Sequence, residues 1–352
     1  MNTIHDVAKL AGVSTATVSN VINNSKKVSP GTVERVQNAI RELNYTPNTI
    51  ARGLKTSNSR IIGILAEDIG AFFSGDIIDG ICEYCELHDY SINLCNLRVD
   101  FKVKQSPGFR YTGLEEDESY KKSIQRNLNT LLASRVCGLI FIGTHPRDVG
   151  SLLPDLPIPV VYTYAYTRKG DYCINYDDYQ GTRLAVDYLI ENGHERIALI
   201  CGAVDSVPTH KRMRGYQSAL MEHNLPFHPE YIKTGNWHYE DGYRQALELM
   251  ASGDPPTAIF AMNDLMAVGA LNALRENGFR VPQDVSVHGF DDLEMSHYTV
   301  PALTTIKPPL REMGRRTAQT MDNILNKEFP EKHGTLLPCS HVIRDSVFCI
   351  KR

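Results

Sequence analysis

The N-terminal residues place apolar side chains at the 3.6-residue period of amphipathic helices. The first predicted helix has an inward stripe formed by Ile4, Val7, Ala8 and Ala11. Gly12 can adopt the left-handed conformation that ends a helix, and Ser14 suits the N-cap of a second helix. The inward residues of that second helix are Val18, Val21 and Ile22. The spacing predicts a helix-turn-helix, whose second helix enters the major groove of DNA.

The same pattern predicts a third helix and then a much shorter one. Ser29 suits an N-cap and Pro30 the first helical position. The inward stripe of this third helix is Val33, Val36, Ile40 and Leu43. After Pro47 the sequence predicts a short helix over Thr49–Leu54. A helix of this length is unstable alone, so we expect DNA or a partner chain to order it.

Beyond residue 60, short apolar runs alternate with amphipathic stretches. The runs are Ile61–Ala66, Ser91–Leu97, Val136–Gly143, Pro159–Tyr164, Arg196–Gly202, Thr257–Met262 and Val285–Gly289. The helical stretches include Tyr179–Asn192, Arg214–His223, Asp241–Ala251 and Leu265–Asn277. Such alternation predicts α/β structure, with parallel sheets covered by helices on both faces. Ligands of these folds bind beyond the carboxyl ends of the strands.

The composition is typical of a globular protein, and the charge is unevenly distributed along the chain. The chain has 352 residues, of which 42% are hydrophobic and 22% charged, which suffices for two or three domains. It has no long apolar run and no signal-like N-terminus, so we expect a cytoplasmic protein without a membrane partner. Residues 1–60 carry eight Lys and Arg against three Asp and Glu, a net charge of +5, whereas the remainder carries −9. A basic head on an acidic body is typical of a head that binds a polyanion.

The eight cysteines do not indicate a disulfide framework. Cys82 and Cys85 form a CxxC pair, but they recur at helical spacing with Ile77, Ile78 and Ile81. We therefore expect both thiols on a buried helix face. No second pair of ligands is spaced for zinc, so no metal and no cofactor are predicted.

Two segments of the head resemble the LacI family of transcriptional regulators, of the lac and purine repressor type. Residues 3–19, TIHDVAKLAGVSTATVS, resemble the family's helix-turn-helix signature, and residues 47–54, PNTIARGL, its hinge helix. The resemblance continues in the body through 194–198, 263–267, 281–286, 289–292 and 303–306. It implies an N-terminal all-α helix-turn-helix head with a hinge helix, followed by a two-lobed α/β sensor of the type I periplasmic-binding-protein kind.

The resemblance also implies domain boundaries and a DNA-binding surface. We expect the head at 1–46, the hinge at 47–59 and the sensor at 60–352, with lobe crossings near 177, 305 and 340. Residues at the start of the recognition helix would meet base edges, where Asn20 can pair with adenine. The hinge leucine, Leu54, would wedge into the minor groove, with Arg52 and Lys55 near phosphate or the minor groove. The full predicted set is Thr3, Thr15, Ala16, Thr17, Asn20, Asn48, Ala51, Arg52, Leu54 and Lys55.

The family's effector pocket maps by position onto seven residues of the body: Phe72, Phe73, Tyr164, Arg212, Trp237, Asn263 and Asp291. Flat aromatic faces with Arg, Asn and Asp suit a sugar, whose hydroxyls are costly to bury unpaired. Other interpretations stay open. Arg212 and Asp291 could simply pair with each other, and the phenylalanines or Trp237 could be core residues.

The chain departs from the family pattern between the first two strands and after the second. Gly70-Ala71 stands where a small residue and proline are usual, and one extra residue falls near Gly75. The stretch Arg98–Ser119 is longer than expected and predicts an exposed loop. One hypothesis is that this insertion tunes effector choice, and the other is that it is a tolerated surface insertion.

No phosphate-binding, nucleophile-elbow or zinc-protease motif indicates an enzyme. We expect a homodimeric repressor that binds a palindromic operator and is controlled by a small molecule, with a carbohydrate as the expected class. A purine, a nucleoside or a protein co-effector is an alternative. A carbohydrate receptor without a DNA role is the alternative from another class, as is an enzyme acting on a sugar or nucleoside. The sequence lacks an appended heptad helix, which favours a dimer over a tetramer.

Overall fold

The computed structural model describes residues 2–23, 28–45, 59–99 and 114–350. The chain divides into two compact units, Met1–Arg60 and Ile61–Arg352. The predicted hinge helix and most of the Arg98–Ser119 insertion lie outside the described residues.

The smaller unit contains the three predicted helices of the head. These are α1 (Ile4–Ala11), α2 (Thr15–Asn23) and α3 (Pro30–Glu42). Thr3 and Asp6 form a capping box at the start of α1, and Gly12 ends the helix with a φ of 63°. A small apolar core unites the three helices: Val7, Ala8, Ala11, Val18, Val36 and Ala39. The predicted helix-turn-helix is confirmed, because the local caps and the apolar period agree with the packing.

The larger unit contains two parallel sheets, whose strands are separated by helices. Its strands are β1 (Ile61–Ala66), β2 (Ser91–Asn96), β3 (Gly138–Ile142), β4 (Val160–Thr163), β5 (Tyr172–Tyr176), β6 (Ile197–Ile200), β7 (Ile232–Lys233), β8 (Ala258–Ala261), β9 (Ser286–His288), β10 (Thr305–Lys307), β11 (Gly334–Leu337) and β12 (Ser340–Val342). Its helices are α4 (Ser74–Leu87), α5 (Glu118–Ala133), α6 (Asp178–Glu191), α7 (Val207–Glu222), α8 (Tyr239–Met250), α9 (Asp264–Glu276) and α10 (Leu310–Leu325). Single 3-10 turns occur at Leu114–Glu116, Pro229–Tyr231 and Glu294–His297.

Each sheet forms the centre of one lobe. The first has the strand order β11-β5-β4-β3-β1-β2 and the second β7-β6-β8-β9. All of these pairings are parallel, so the carboxyl ends of the strands share one edge in each lobe. The chain passes between the lobes after β5, after β10 and after β11. At the crossings β10 and β12 form a separate antiparallel pair, in which Ile306 lies opposite His341. The predicted two-lobed α/β architecture is confirmed.

The CxxC pair lies on α4, but the structure corrects one half of its interpretation. Cys85 is buried, and burial is the main cause that raises the pKa of its thiol to about 12. Cys82 is exposed, because the buried row of this helix follows the four-residue spacing of Ile77, Ile81 and Cys85 and leaves Cys82 at the edge of the apolar stripe. All eight cysteines are free thiols.

No helix within the described ranges is long and apolar enough to span a membrane.

Two histidines meet where β9 approaches the crossing strand β12. The Nε2 atoms of His288 and His341 lie 2.9 Å apart, and Nδ1 of His288 lies 2.8 Å from the carbonyl oxygen of Gly289. This geometry requires His288 to donate from Nδ1 and to accept at Nε2 from His341. Burial and the neighbouring His341 lower the pKa of His288 to about 3, and burial lowers the pKa of His341 to about 4. Both imidazoles are therefore neutral at neutral pH.

We predict that the free energy of unfolding falls as the pH is lowered from about 6.5 towards 4. In this window the unfolded chain binds protons at both histidines and the folded chain does not, so acid favours unfolding. The slope that His288 contributes is of the order of 1 kcal/mol per pH unit. Urea denaturation between pH 7 and 5 measures it. His341→Gln should flatten the slope, whereas the same change at His228, which is partly exposed and lies outside this pair, should leave it steep. Equal slopes in the two variants would contradict the assignment.

Candidate functional site

A cavity of about 850 Å³ lies between the two lobes. Its walls come from the segments that follow the carboxyl ends of β1, β3, β4, β6, β7, β8 and β9. All seven predicted effector residues line it: Phe72, Phe73, Tyr164, Arg212, Trp237, Asn263 and Asp291. The parallel strands of both lobes explain this convergence, because segments far apart in sequence end at one edge.

Arg212 is buried at the base of the cavity in a network of acceptors. Its Nε donates to Oδ1 of Asp178 at 2.9 Å, and its Nη2 donates to the hydroxyl of Tyr176 at 3.1 Å. Its Nη1 donates to the carbonyl oxygen of Met262, and its guanidinium carbon lies 3.6 Å from the ring centroid of Phe290. The charge of Arg212 is thus offset mainly by Asp178, which is fully buried.

Asp291 is the second buried carboxyl group of the cavity. One of its oxygens lies 3.9 Å from Nη2 of Arg212, so the two residues pair only loosely. Its backbone has a φ of 123°, a rare conformation held in place by a hydrogen bond from its N–H to the carbonyl of Ile306 at 2.7 Å. Burial raises the pKa of Asp291 well above its ordinary value, although Arg212 opposes the shift. Its carboxyl group is a polar group of the cavity that a ligand can contact.

The aromatic residues of the first lobe divide into a buried pair and an exposed one. Phe73 and Tyr164 are each 6% exposed and pack with ring centroids 4.4 Å apart. The hydroxyls of Tyr164 and Tyr176 lie 3.0 Å apart, which joins this pair to the Arg212 network. Phe72 is 51% exposed and meets Phe73 edge to face at 5.1 Å. Phe72 thus offers its ring to the cavity, whereas Phe73 belongs largely to the core.

Trp237 forms the aromatic wall of the second lobe. Its backbone has a positive φ of 72°, and its ring centroid lies 5.6 Å from the guanidinium carbon of Arg212. A Cβ atom on Gly202 would overlap the indole, so only glycine leaves room for this ring position. The amide of Asn263 donates to the carbonyl oxygen of Trp237 at 3.0 Å and accepts the N–H of Met266 at 2.9 Å. The nitrogen and the oxygen of this amide therefore hold the Trp237 loop and cap α9.

We expect Gly202→Ala to displace the indole of Trp237 from its wall. The new methyl group would occupy the volume of the ring, and the backbone that follows β6 cannot yield as easily as an indole. Since Trp237 is the only tryptophan, its emission spectrum and its quenching by acrylamide measure the displacement directly. Gly253→Ala is the matched control, because a Cβ atom there meets nothing within 4 Å. Unchanged fluorescence in Gly202→Ala would contradict the described packing.

Sequence reasoning missed several residues of the site, among them Asp178, Tyr176 and Ser206. Asp178 and Tyr176 bind Arg212, and Ser206 lines the cavity with a buried hydroxyl that has no partner among the described residues. One signal was available for the first two, because they border the crossing at which β5 ends and α6 begins. Ser206 carried a weaker signal, as the N-cap of the helix that contains Arg212.

Thr3 is the N-cap of α1, and the predicted DNA-binding residues of α2 lie in its first turn, except for Asn20, which lies in the middle of the helix. The hydroxyl of Thr17 is 2.9 Å from that of Ser14, and the hydroxyl of Thr3 donates to Asp6 at 2.7 Å. Both threonines are thus engaged in caps. Thr15 and Asn20 are half-buried, while Ala16 is exposed in the first turn of α2. The other predicted contacts lie outside the described residues: Asn48, Ala51, Arg52, Leu54 and Lys55.

Comparisons with known proteins match both units. Residues 3–48 match the model of bacterial regulatory proteins of the lacI family, and residues 186–347 match that of a periplasmic binding protein-like domain. The HTH-type transcriptional repressor PurR of Haemophilus influenzae is 34% identical, with 93% of each chain covered. The protein of the same name from Vibrio parahaemolyticus is 35% identical, with 99% of each chain covered.

Solved structures agree with the sequence matches. The lac repressor dimer bound to operator and the anti-inducer ONPF superposes with a TM-score of 0.82 at 30% identity, with 99% of each chain covered. A complex of the transcriptional regulator CelR with cellobiose gives a TM-score of 0.67 at 29% identity, covering 98% of this chain and 100% of the other.

Proposed function

The chain belongs to the LacI family of bacterial regulatory proteins, and from this premise we propose that its cavity binds an uncharged small molecule that controls operator binding. The protein is a DNA-binding transcriptional repressor with a helix-turn-helix head and a two-lobed effector domain. The class of effector and the residues that contact it are the new elements. The main observation behind this proposal is that the charge of Arg212 is already offset by Asp178.

The charges that surround the cavity disfavour an anionic effector. Arg212 is the one Lys or Arg among the described residues that line it, and Asp178 already binds its guanidinium at 2.9 Å. Asp291 stands 3.9 Å from the same group, and Asp205 lies at the rim. The imidazoles of His145 and His238 also line the cavity, but a phosphate or carboxylate would lose its hydration without gaining an uncommitted Lys or Arg side chain. The effector we propose is therefore neutral, which excludes sugar phosphates and nucleotides.

The lining groups favour a ring that has one apolar face and many hydroxyls. Phe72 and Trp237 offer flat faces from opposite lobes, and such faces cover the C–H face of a pyranose. Asp291 and the unpartnered hydroxyl of Ser206 offer polar atoms that hydroxyl groups of a ligand can satisfy. A mono- or disaccharide is one candidate. The regulator CelR, whose structure contains cellobiose, is a relative with the same fold.

A purine base or nucleoside is the second candidate. The same two aromatic rings suit the stacking of a flat base, and both ligand classes are uncharged. The repressors named PurR cover nearly all of the chain at about a third identity. Titration of Trp237 fluorescence with sugars, nucleosides and purine bases distinguishes the two candidates.

On the DNA side we propose that α2 lies in the major groove, with Ala16 and Asn20 at the base edges and Thr15 beside them. The hinge residue Leu54 keeps its predicted role in the minor groove, and Arg52 its predicted place near phosphate or the minor groove. Two heads in a symmetric dimer would then recognise a palindromic operator. The lac repressor, a structural relative, binds its operator as a dimer, which supports this arrangement.

We propose that part of the dimer contact is an exposed apolar surface near the 3-10 turn Glu294–His297. Met295 is 38% exposed, Tyr298 74% and Val300 78%, and apolar side chains so exposed in one cluster are typical of protein contacts.

The alternative of a carbohydrate receptor without a DNA role is not favoured, because the match to lacI-family proteins includes the whole head. We further propose that the chain is a regulator and not an enzyme, as its relatives are repressors.

The proposal is tested by titrating the full-length protein while following the fluorescence of Trp237. The panel pairs each neutral sugar with its phosphate ester and each nucleoside with its nucleotide, and adds free purine bases. We expect a saturable change with one neutral member and none with its charged partner. Saturation by a phosphorylated compound would contradict the charge argument. Saturation by a base or nucleoside would select the second candidate.

Gly253→Ala is the control for this titration, because it should leave the response unchanged. Acrylamide quenching establishes separately whether Trp237 is accessible. If it is accessible and no ligand of the panel changes its fluorescence, the proposed effector classes are contradicted and a protein co-effector is favoured.

A further inference from the structure

Asn263, which is hydrogen-bonded to the Trp237 loop, is followed directly by Asp264, which is hydrogen-bonded to the crossing strand β10. Asn263 and Asp264 are consecutive at the start of α9. Asn263 is 8% exposed and donates to the carbonyl of Trp237 at 3.0 Å. Asp264 is fully buried, and its backbone N–H donates to the carbonyl of Phe290 at 2.7 Å. One dipeptide thus contacts the cavity wall on one side and the loop before Asp291 on the other.

The carboxylate of Asp264 collects three donors from two separate segments. Its Oδ1 accepts from the hydroxyl of Thr305 at 2.5 Å, and Thr305 begins the crossing strand β10. Its Oδ2 accepts from the N–H of Leu293 at 2.8 Å and from the hydroxyl of Ser296 at 2.6 Å. Ser296 lies within the 3-10 turn that carries the exposed apolar surface.

We propose that Asn263 and Asp264 form a relay that couples the position of the Trp237 loop to strand β10 and to the 3-10 turn Glu294–His297. The proposal rests on the proposed function, because it assigns the route by which an effector at Trp237 reaches the lobe crossing and the dimer surface.

The burial of these groups makes the connection stiff. A buried carboxylate that loses a donor has no water to replace it, and each such loss costs about 1–3 kcal/mol. A shift of the Trp237 loop therefore either breaks the bond to Asn263 or moves the first turn of α9. If α9 moves, Thr305, Leu293 and Ser296 follow, since Asp264 would otherwise be left unpaired. Coupling of this kind is reciprocal, so a change at Thr305 must also reach Trp237.

The first test measures Trp237 in the full-length protein without any ligand. Thr305→Val removes the hydroxyl donor and keeps the shape and β-propensity of the residue. We expect a shifted emission maximum and a changed quenching constant with acrylamide. The control is Thr317→Val, because Thr317 is also fully buried but donates at 2.7 Å to Met313 within its own helix. Identical Trp237 fluorescence in the two folded variants would overturn the relay.

The second test runs in the opposite direction and uses hydrogen exchange. Asn263→Ser keeps an N-cap acceptor but is too short to reach the carbonyl of Trp237. We expect backbone amides in residues 290–306 to exchange about tenfold faster, the equivalent of one lost buried hydrogen bond. Asn277→Ser is the control, since Asn277 donates at 2.9 Å to Ala273 at the other end of α9. Faster exchange confined to residues near Trp237 and the start of α9 would overturn the proposal.

Neither test uses an effector or an operator. Their failure would therefore remove the relay and leave the proposed function standing. If no ligand of the panel changes the Trp237 fluorescence while both tests give the expected results, the coupling is supported and the proposed effector class is contradicted.

Discussion

Replacing Arg212 with methionine is expected to lower the free energy of unfolding by about 3–5 kcal/mol. The variant leaves Asp178, which is fully buried, without its cationic partner at 2.9 Å. It also removes the positive charge 3.9 Å from Asp291. A buried carboxylate that has lost its partner is costly, whereas the methionine itself would pack well. Urea denaturation followed by circular dichroism measures the loss, and the Trp237 response to effector should disappear in the folded protein.

Two further variants make this prediction specific. Arg214→Met is the matched control, because Arg214 is exposed two residues further along α7, and it should lose less than about 1 kcal/mol. Adding Asp178→Asn to Arg212→Met should recover part of the stability, since the uncompensated charge is then gone. If Arg212→Met is as stable as Arg214→Met, the charge network at the base of the cavity is not what holds the site.

Replacing Ala16 with glutamate is expected to weaken operator binding at least about 100-fold, because both heads of a dimer bring the change to base edges. Ala16 is exposed in the first turn of α2, where a negative side chain suits the helix dipole. The head should therefore stay folded while the new carboxylate repels DNA. Fluorescence anisotropy with a labelled duplex, selected by the wild-type protein from a randomised pool, measures the affinity.

Gln37→Glu is the control for the head, because it adds the same charge at an exposed position of α3. It should weaken binding only slightly, through the general loss of positive charge. Equal losses in the two variants would mean that net charge, and not the placement of α2, governs recognition.

The head could be predicted from sequence because its signals are local. Gly12 and Pro30 mark helix ends through backbone constraints that act within a few residues. The short apolar stripes then leave one way to pack three helices. The roles of individual side chains were harder to predict, since Thr3 and Thr17, predicted as DNA contacts, proved to hold helix caps.

The sheets were predicted only in part. Buried strands such as β1 and β3 are continuous apolar runs and were expected, but β5 and β11 were not. β5 contains Asn175 and Tyr176, and β11 is an edge strand that is half exposed, so neither has a clear apolar run. Their membership of the first sheet follows from tertiary contacts that no local pattern records.

The candidate site, too, could be predicted only in part: the resemblance indicated its main residues, but not the contacts between residues far apart in sequence. The resemblance placed Arg212, Trp237 and Asp291 at one cavity, and the structure brings them there. It could not supply Asp178, whose bond to Arg212 joins residues 34 positions apart. Asn263 was predicted as a ligand contact, but both the nitrogen and the oxygen of its amide are already bound to protein atoms. The role of the insertion at Arg98–Ser119 stays a prediction.

The most direct test of the central claim is the affinity of the full-length protein for its selected operator, measured with and without the neutral ligand that saturates the Trp237 response. We predict that saturating ligand changes the operator affinity by about 5–150-fold, and that operator changes the ligand affinity by the same factor. An operator affinity that stays constant while Trp237 is saturated would show that the cavity does not control DNA binding, and would contradict the central claim.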